Sequence, residues 1–455
     1  MTLRDRLLPP HGTAARRASG VQCLTALAFA LAALVLVRVA LKEPLYVVGV
    51  LYAAGFWVLA WRYPAAALLL IFAACPFQTD VSGGGLAKYS VAEVNVVLSV
   101  PVFVLHMIVR KRLPSAGPIT IPVLIYFGVC GYSSWENWRG QDALLSLGQM
   151  FLYFFVVVAL FASFAPRLED LRAALCALVC VGTFLSVAGM ATGFGFLGLN
   201  KNGLGASLSV SLLVAIELWL STAGGRTRQI LTLALSIIAV GLLASLSRGS
   251  WLGAAAGLVV IFGLRQQWKA LARLLLTLLP LLAACWFLMP SDSRDYATDF
   301  GQGRYNIHAR LDSIDFARTT YNRNQVYGEG VGLRKEFDAT NVVWVTLAET
   351  GVLGLAAFLL IHVTFFGMVH QAKRRIAPTD PCFSFLTVGA ALIADQLCHG
   401  MVDHYWSRGA IMAAWAAAGM SVGVYHRYRL NIMLAEPQPA APEGNDEAKV
   451  AARQA

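Results

Sequence analysis

Long apolar runs separated by short polar turns recur along almost the whole chain. Most are about 18 to 25 residues, the length an α-helix needs to cross about 30 Å of hydrocarbon. None shows the roughly ten-residue alternation of a transmembrane barrel strand. The pattern predicts about fourteen helical spans, near 21–41, 45–61, 64–77, 91–109, 117–134, 145–164, 172–193, 203–221, 229–245, 250–264, 274–289, 342–368, 383–401 and 409–426. The runs at 64–77 and 250–264 are short; if one or both are broken or re-entrant helices, about twelve spans remain. One stretch breaks the rhythm. Residues 291–341 are a long polar segment carrying Arg294, Arg304, His308, Arg310, Arg318, Arg323, Arg334 and Lys335.

Composition narrows the class. The chain is 58% hydrophobic and only 13% charged, with a mean hydropathy of +0.63, against about 25% charge in soluble domains. The expectation is an all-α, polytopic helical membrane protein of about 12–14 transmembrane helices with one long extracytoplasmic loop. The net charge of +11 does not point to nucleic acid, because the cations sit in short clusters between spans. The eight cysteines contain no CxxC pair, and Cys176 and Cys180 read as packing residues.

Charge also orients the chain. Arg4, Arg6, Arg16 and Arg17 precede a first run too long for a cleaved signal, so 1–20 reads as a cytoplasmic segment before a signal anchor. The cytoplasmic turns then hold Arg110-Lys111-Arg112, Arg226 and Arg228, Arg265, Lys269 and Arg273, Lys373-Arg374-Arg375, and Arg427 and Arg429. The short outer turns hold about one cation each, the alternation expected of the positive-inside rule. Residues 21–434 form the transmembrane domain, with the extracytoplasmic loop at 290–341. Residues 435–455, rich in Pro, Ala and charge, read as a disordered cytoplasmic tail. The cations of 291–341 lie on the side the rule disfavours, which an anionic lipid-linked substrate would explain.

Polar chemistry gathers on that outer face. Asn200-Lys201-Asn202-Gly203 places a cation at a helix start, where backbone N–H groups and the dipole favour an anion; the alternative is a polar cap with a snorkelling lysine. Ser247-Arg248-Gly249-Ser250-Trp251 places an arginine between two spans among small residues, and a guanidinium clamps phosphate through paired hydrogen bonds. Arg304, His308 and Arg310 could share a helical face, and Arg310, Asp312 and Asp315 could pair among themselves. Tyr327-Gly328-Glu329-Gly330-Val331-Gly332 reads as a flexible surface turn rather than a phosphate cradle. Asp338 or Thr340 can cap the next helix. Glu349 falls within that helix's apolar run and needs a cation, such as Arg248. The last outer turn, His399 to Arg408, holds Asp403, His404, Tyr405 and Trp406, and suits either a base pair with sugar-stacking rings or an interfacial aromatic belt.

Asn-Lys-Asn-Gly, Ser-Arg-Gly-Ser-Trp, a long outer loop with a Gly-x-Gly turn, and a helix reading Ala-Glu-Thr-Gly-Val-Leu-Gly occur in this order over about residues 195–365. The set resembles the O-antigen ligase and polymerase superfamily. That resemblance implies a glycosyltransferase of the bacterial inner membrane, working on the periplasmic face; the charge pattern places both termini in the cytoplasm. Its donor would be a glycan on undecaprenyl diphosphate; its acceptor, another lipid-linked glycan in a polymerase or lipid A-core in a ligase. No metal or nucleotide cofactor is implied, and a chain-length regulator is a further candidate partner beside membrane lipid. The diphosphate-binding role carries over to Arg248 and Lys201, joined by Arg304, Arg310 and Arg318 of the loop. Ligases of the family have a histidine just before the asparagine that opens the helix; here Thr340 stands there, and a neutral hydroxyl is no general base near pH 7. This favours polymerase over ligase. The candidate catalytic groups are then Asp338, His308, Glu349 and His404, with His399 a further choice for the base. A flippase for the same lipid-linked glycan is the alternative from another class, but charges within the spans are sparse.

Overall fold

The computed structural model describes residues 44–77, 90–110, 114–164, 168–194, 200–298, 304–335, 337, 340–406 and 408–429. The segment 1–20, the first expected span, Asp338 and the tail 435–455 lie outside them. Among the described residues all regular structure is helical. The first helix, α1 (Pro44–Arg62), belongs to a separate N-terminal unit and is apolar along its length.

The unit from Tyr63 onward holds α2 (Pro64–Ala74), α3 (Val91–Arg110), α4 (Thr120–Glu136) and α5 (Gly140–Phe151), which passes through a π-helical stretch (Leu152–Val157) into α6 (Val158–Phe164). Then come α7 (Leu168–Ala191), α8 (Lys201–Ser221), α9 (Gly225–Ala244), α10 (Arg248–Arg265), α11 (Trp268–Leu288), α12 (Ser291–Thr298) and α13 (Arg304–Tyr321). The last three are α14 (Val342–Lys373), α15 (Phe383–His399) and α16 (Arg408–Arg429). Every expected span from 45–61 onward falls on these helices, that at 145–164 running through α5, the π-helical stretch and α6. Eight of the helical stretches are long and apolar enough to cross a membrane, and the chain is a polytopic all-α membrane protein. At 11 residues, α2 reaches only about half the hydrocarbon thickness at 1.5 Å per residue.

The bundle is built around α8, buried without a gap from Gly203 to Leu218. Its sequence allows this: Gly205, Ala206, Ser207, Ser209 and Ser211 are small enough for neighbouring backbones to approach. On α10, Gly249, Gly253 and Gly257 recur every four residues. A Cβ at Gly253 would lie 2.3 Å from Asp395 Oδ1, and one at Gly257 2.3 Å from Leu213 Cδ1, so these glycines seat α10 against α15 and α8. By contrast α11 turns Leu276, Leu279, Phe287 and Leu288 outward, as suits a helix facing hydrocarbon.

α14 is broken at Gly351, which takes φ 66° and ψ −166°, a conformation essentially restricted to glycine. The break frees backbone groups within the bundle, and a segment of the long loop repairs it. Glu329 N–H donates to Ala348 O at 2.8 Å, and Gly330 N–H to Glu349 O at 3.1 Å. In return Val352 N–H donates to Gln325 O at 2.9 Å. Irregular backbone at this depth is tolerable only when protein satisfies it in this way. The glycine-rich turn expected to be flexible is therefore a buried wedge. Gly328, Gly330 and Gly332 all have positive φ, and a Cβ at Gly330 would lie 2.3 Å from Asn137 O.

Gly351→Ala should destabilise the protein by at least about 1–3 kcal/mol, because a Cβ there would also lie 2.2 Å from Val326 O. Gly367→Ala on the same helix meets nothing within 4 Å and should be neutral or mildly stabilising. Melting of the two variants in detergent checks this; equal midpoints would remove the special role of Gly351.

Candidate functional site at the loop-bearing end

Contacts gather one set of helix ends. Asn137 Nδ2 donates to Gly328 O at 3.3 Å and Arg139 Nε to Glu329 O at 2.9 Å, tying the α4–α5 turn to the loop. Val342 N–H donates to Gly400 O at 2.8 Å, and Asn341 Nδ2 to Met401 O at 2.9 Å, tying the start of α14 to the α15–α16 turn. The opposite ends of α8, α10 and α15 meet at Glu217, Arg265 and Ser384. The turns expected to share one face, where described, thus do share one.

The cations at these helix starts are set by their local sequence. Asn200 caps α8, its side-chain oxygen accepting from Gly203 N–H at 2.8 Å, and Lys201 follows as the first helical residue. Arg248 opens α10, half-buried. The turn before it is tight: Leu246 takes φ 55°, costly for a branched side chain. The Trp251 indole N–H staples that turn by donating to Leu242 O at 2.8 Å. The two helix starts are neighbours, since a Cβ at Gly205 would lie 2.6 Å from Ser247 Cβ. A Cβ at Gly249 would lie 3.0 Å from His399 Cδ2, which puts the Arg248 backbone beside His399.

The loop helix α13 does not turn His308 and Arg310 to one face, and the Arg304 side chain lies outside what is described. It buries Ser313, Ala317 and Thr320, and Ala317 packs with Leu333 and Ala348 against Phe337 and Trp344. Arg310 lies on that inward stripe at helical spacing, whereas His308 and Arg318 are exposed. The partner of Arg310 is neither Asp312 nor Asp315 but Asp403, at 3.3 Å. Asp403 also faces His399 Nε2 at 3.9 Å and accepts from the His404 backbone N–H at 2.8 Å. The acid–imidazole pair of this turn is thus Asp403 with His399, one helical turn apart, rather than Asp403 with the His404 ring.

Burial pushes the Asp403 carboxyl up, but His399 beside it, the His404 N–H and Arg310 together outweigh this and hold it at about 2. A carboxylate with a depressed folded pKa stabilises the protein above its unfolded value, and that stability is lost as pH falls through the folded one. Asp403 should therefore contribute about 2 kcal/mol that disappears between about pH 4 and pH 2. Asp403→Asn should flatten the acid limb of a pH–stability curve by that amount; an unchanged limb would contradict the assignment.

Glu349 sits elsewhere than expected. It pairs with Arg334, not with Arg248. Arg334 Nε donates to Oε1 at 3.1 Å, its Nη2 binds Oε2, and the backbone N–H groups of Gly332 and Arg334 each donate to Oε1 at 3.1 Å. With 1% exposure and this set of partners, Glu349 is turned to the loop wedge and holds structure rather than meeting an acceptor. The cap of α14 is Asn341, which accepts from Val343 N–H at 3.0 Å and Trp344 N–H at 3.1 Å, not Thr340. The Thr340 hydroxyl is buried with no hydrogen-bond partner. Arg334 and His399 carry more of this site than sequence reasoning assigned them. The signal for Arg334 was the carboxylate inside an apolar run, which requires a cation. Asp395, also outside the candidate set, is buried on α15 with Oδ1 accepting from Ser209 Oγ at 2.6 Å and Oδ2 unpartnered. No protein-family profile matches the chain, and no curated protein matches it either.

Proposed function

We propose that this protein is a polytopic glycosyltransferase of the bacterial inner membrane that polymerises polysaccharide repeat units at the periplasmic face. The reading rests on one observation above the others. The α15–α16 turn gathers Arg310 of the long loop, the start of α10 with Arg248, and an Asp403–His399 pair at one end of the bundle. Cations and a candidate base share one face, which suits transfer from a lipid diphosphate.

In this mechanism the donor is a glycan on undecaprenyl diphosphate. Arg248 and Lys201, each at a helix start, neutralise the diphosphate together with the helix dipoles, and Arg310 adds charge from the loop. His399, oriented by Asp403, takes the proton of an acceptor sugar hydroxyl. The hydroxyl oxygen bonds to the anomeric carbon as the bond to the diphosphate oxygen breaks, inverting configuration. The leaving diphosphate keeps the electron pair, and the cations stabilise its charge. The orphaned Thr340 hydroxyl supplies no base, which favours polymerase over ligase.

Purified protein incubated with lipid-linked repeat units alone tests the reading. A ladder of polymer is the expected product. Transfer only when lipid A-core is added would make the protein a ligase, and movement of the lipid across vesicles without transfer would make it a flippase.

A further inference from the structure

Glu349 and Arg334 are costly to bury, and nothing in the proposed transfer uses them directly. Their geometry shows what they reach. Glu349 lies two residues before the break at Gly351, and its Oε1 accepts three N–H groups from residues 332–334. It therefore clamps the end of the wedge whose earlier residues fill that break. The Arg334 guanidinium, fixed by the carboxylate, lies over the Trp406 ring with its carbon 4.2 Å from the centroid. Trp406 packs against Tyr405 at 5.1 Å and Phe154 at 5.5 Å. Gln396 Nε2 is bonded to Tyr405 O, and the Tyr405 hydroxyl meets His362 Nε2 at 3.2 Å. The turn bearing Asp403 is thus held by aromatic packing and by the Arg334 guanidinium, in addition to the Arg310–Asp403 pair and the bonds from Val342 and Asn341 to Gly400 and Met401.

We infer that Glu349, Arg334 and Trp406 form a latch between the broken helix and the Asp403-bearing turn, so that Arg334 is a positioning residue and not one of the donor-binding cations. The catalytic part of this inference rests on the glycosyltransferase reading; the latch itself does not. A guanidinium suits the task because its planar fork engages a carboxylate through two nitrogens while its flat face stacks on indole. An ammonium keeps the charge and loses both. The consequence is mechanical. Loosening the latch frees the turn, and a catalytic pair displaced by about 1 Å loses about 100-fold in rate while the donor is still bound.

Hydrogen exchange of residues 400–406, measured by mass spectrometry on the full-length protein in detergent, reads the latch without any assay of transfer. Arg334→Lys and Glu349→Gln should each speed exchange in that turn by about tenfold, although both substitutions lie on other segments. Trp406→Phe keeps a ring under the guanidinium and should stay near wild type, whereas Trp406→Ala should match Arg334→Lys. In transfer assays Arg334→Lys should lower kcat by about 100-fold with KM for the lipid-linked donor unchanged. Unchanged exchange in Glu349→Gln overturns the latch. A raised KM with unchanged exchange in Arg334→Lys makes Arg334 a donor-binding cation and also overturns it. If exchange rises as described but the wild-type protein transfers no glycan, the latch stands and the glycosyltransferase reading fails. Should Arg334→Lys not fold, the Trp406 pair still decides the matter.

Discussion

Arg248→Ala is expected to cut glycan transfer by about 100- to 1000-fold, the usual cost of removing one fixed donor from a developing anion. The protein should remain folded in detergent. Arg248 opens α10 at the point where three elements converge: Gly249 abuts His399, and Ser245, Ser247 and Ser250 press against Gly205 of α8. In the proposed mechanism a cation here would meet the donor diphosphate beside two helix starts, whose dipoles add to its charge. Arg248→Lys should recover only part of the activity, because a point charge cannot make the paired hydrogen bonds of a guanidinium. Arg318, exposed on the outward side of α13, provides the contrast. Arg318→Ala should cost less than about tenfold, since exposed charges are screened by solvent and salt. Polymer length in cells carrying each variant alone, with transfer by the purified proteins, checks both. Normal polymer from Arg248→Ala cells would sink the site as drawn.

The largest stability effect is expected at the opposite end. Arg265 and Glu217 are both buried, and Arg265 engages both Glu217 oxygens, with Nε at 3.1 and 2.9 Å and Nη2 closer still. Arg265 also donates to Pro378 O at 3.1 Å and Ser384 Oγ at 3.2 Å, so it joins α8, α10 and α15 at one point. Arg265→Met leaves a carboxylate buried without its cation and should cost about 3–5 kcal/mol, whereas replacing both partners with apolar residues should cost far less. A double-mutant cycle in detergent, with Arg265→Met, Glu217→Leu and the pair, measures this. Additive losses would mean that the two side chains do not depend on each other. The pair lies at the far end from the proposed site, so surviving protein should keep its transfer rate per folded molecule. That separates this prediction from the one at Arg248.

Much of this was legible before any coordinates. The helical class, the positions of the spans from residue 45 onward, and the grouping of the outer turns all follow from hydropathy and charge alternation. These are local properties, because an apolar run of about 20 residues favours the membrane interior, against lipid or against other helices, whatever its neighbours do. The small residues around Arg248 were legible as a place of close approach, whereas Gly253 and Gly257 carried no such signal. Pairings were not. Glu349 signalled only that a cation was needed, and it takes Arg334 because the wedge places residues 332–334 over it. Arg310 takes Asp403, 93 residues away, over the nearer Asp312 and Asp315, because α13 turns its Ser313–Ala317–Thr320 stripe inward.

The glycine-rich turn shows the division most clearly. Its sequence says that the backbone adopts conformations other residues avoid, which a flexible surface turn and a buried wedge share equally. Only the tertiary structure decides between them. The break at Gly351 would leave backbone N–H and C=O groups unsatisfied within the bundle, and the loop backbone, with the Ser133 hydroxyl of α4, supplies the polar partners that reach them. Sequence by itself determined which segments are apolar enough to enter the membrane, through the free energy of moving residues between water and hydrocarbon, and which turns belong together, through the alternation of charge between successive spans. The tertiary structure decided which charges meet, because burial makes an unpaired group costly and the packing of distant segments determines which partner is within reach.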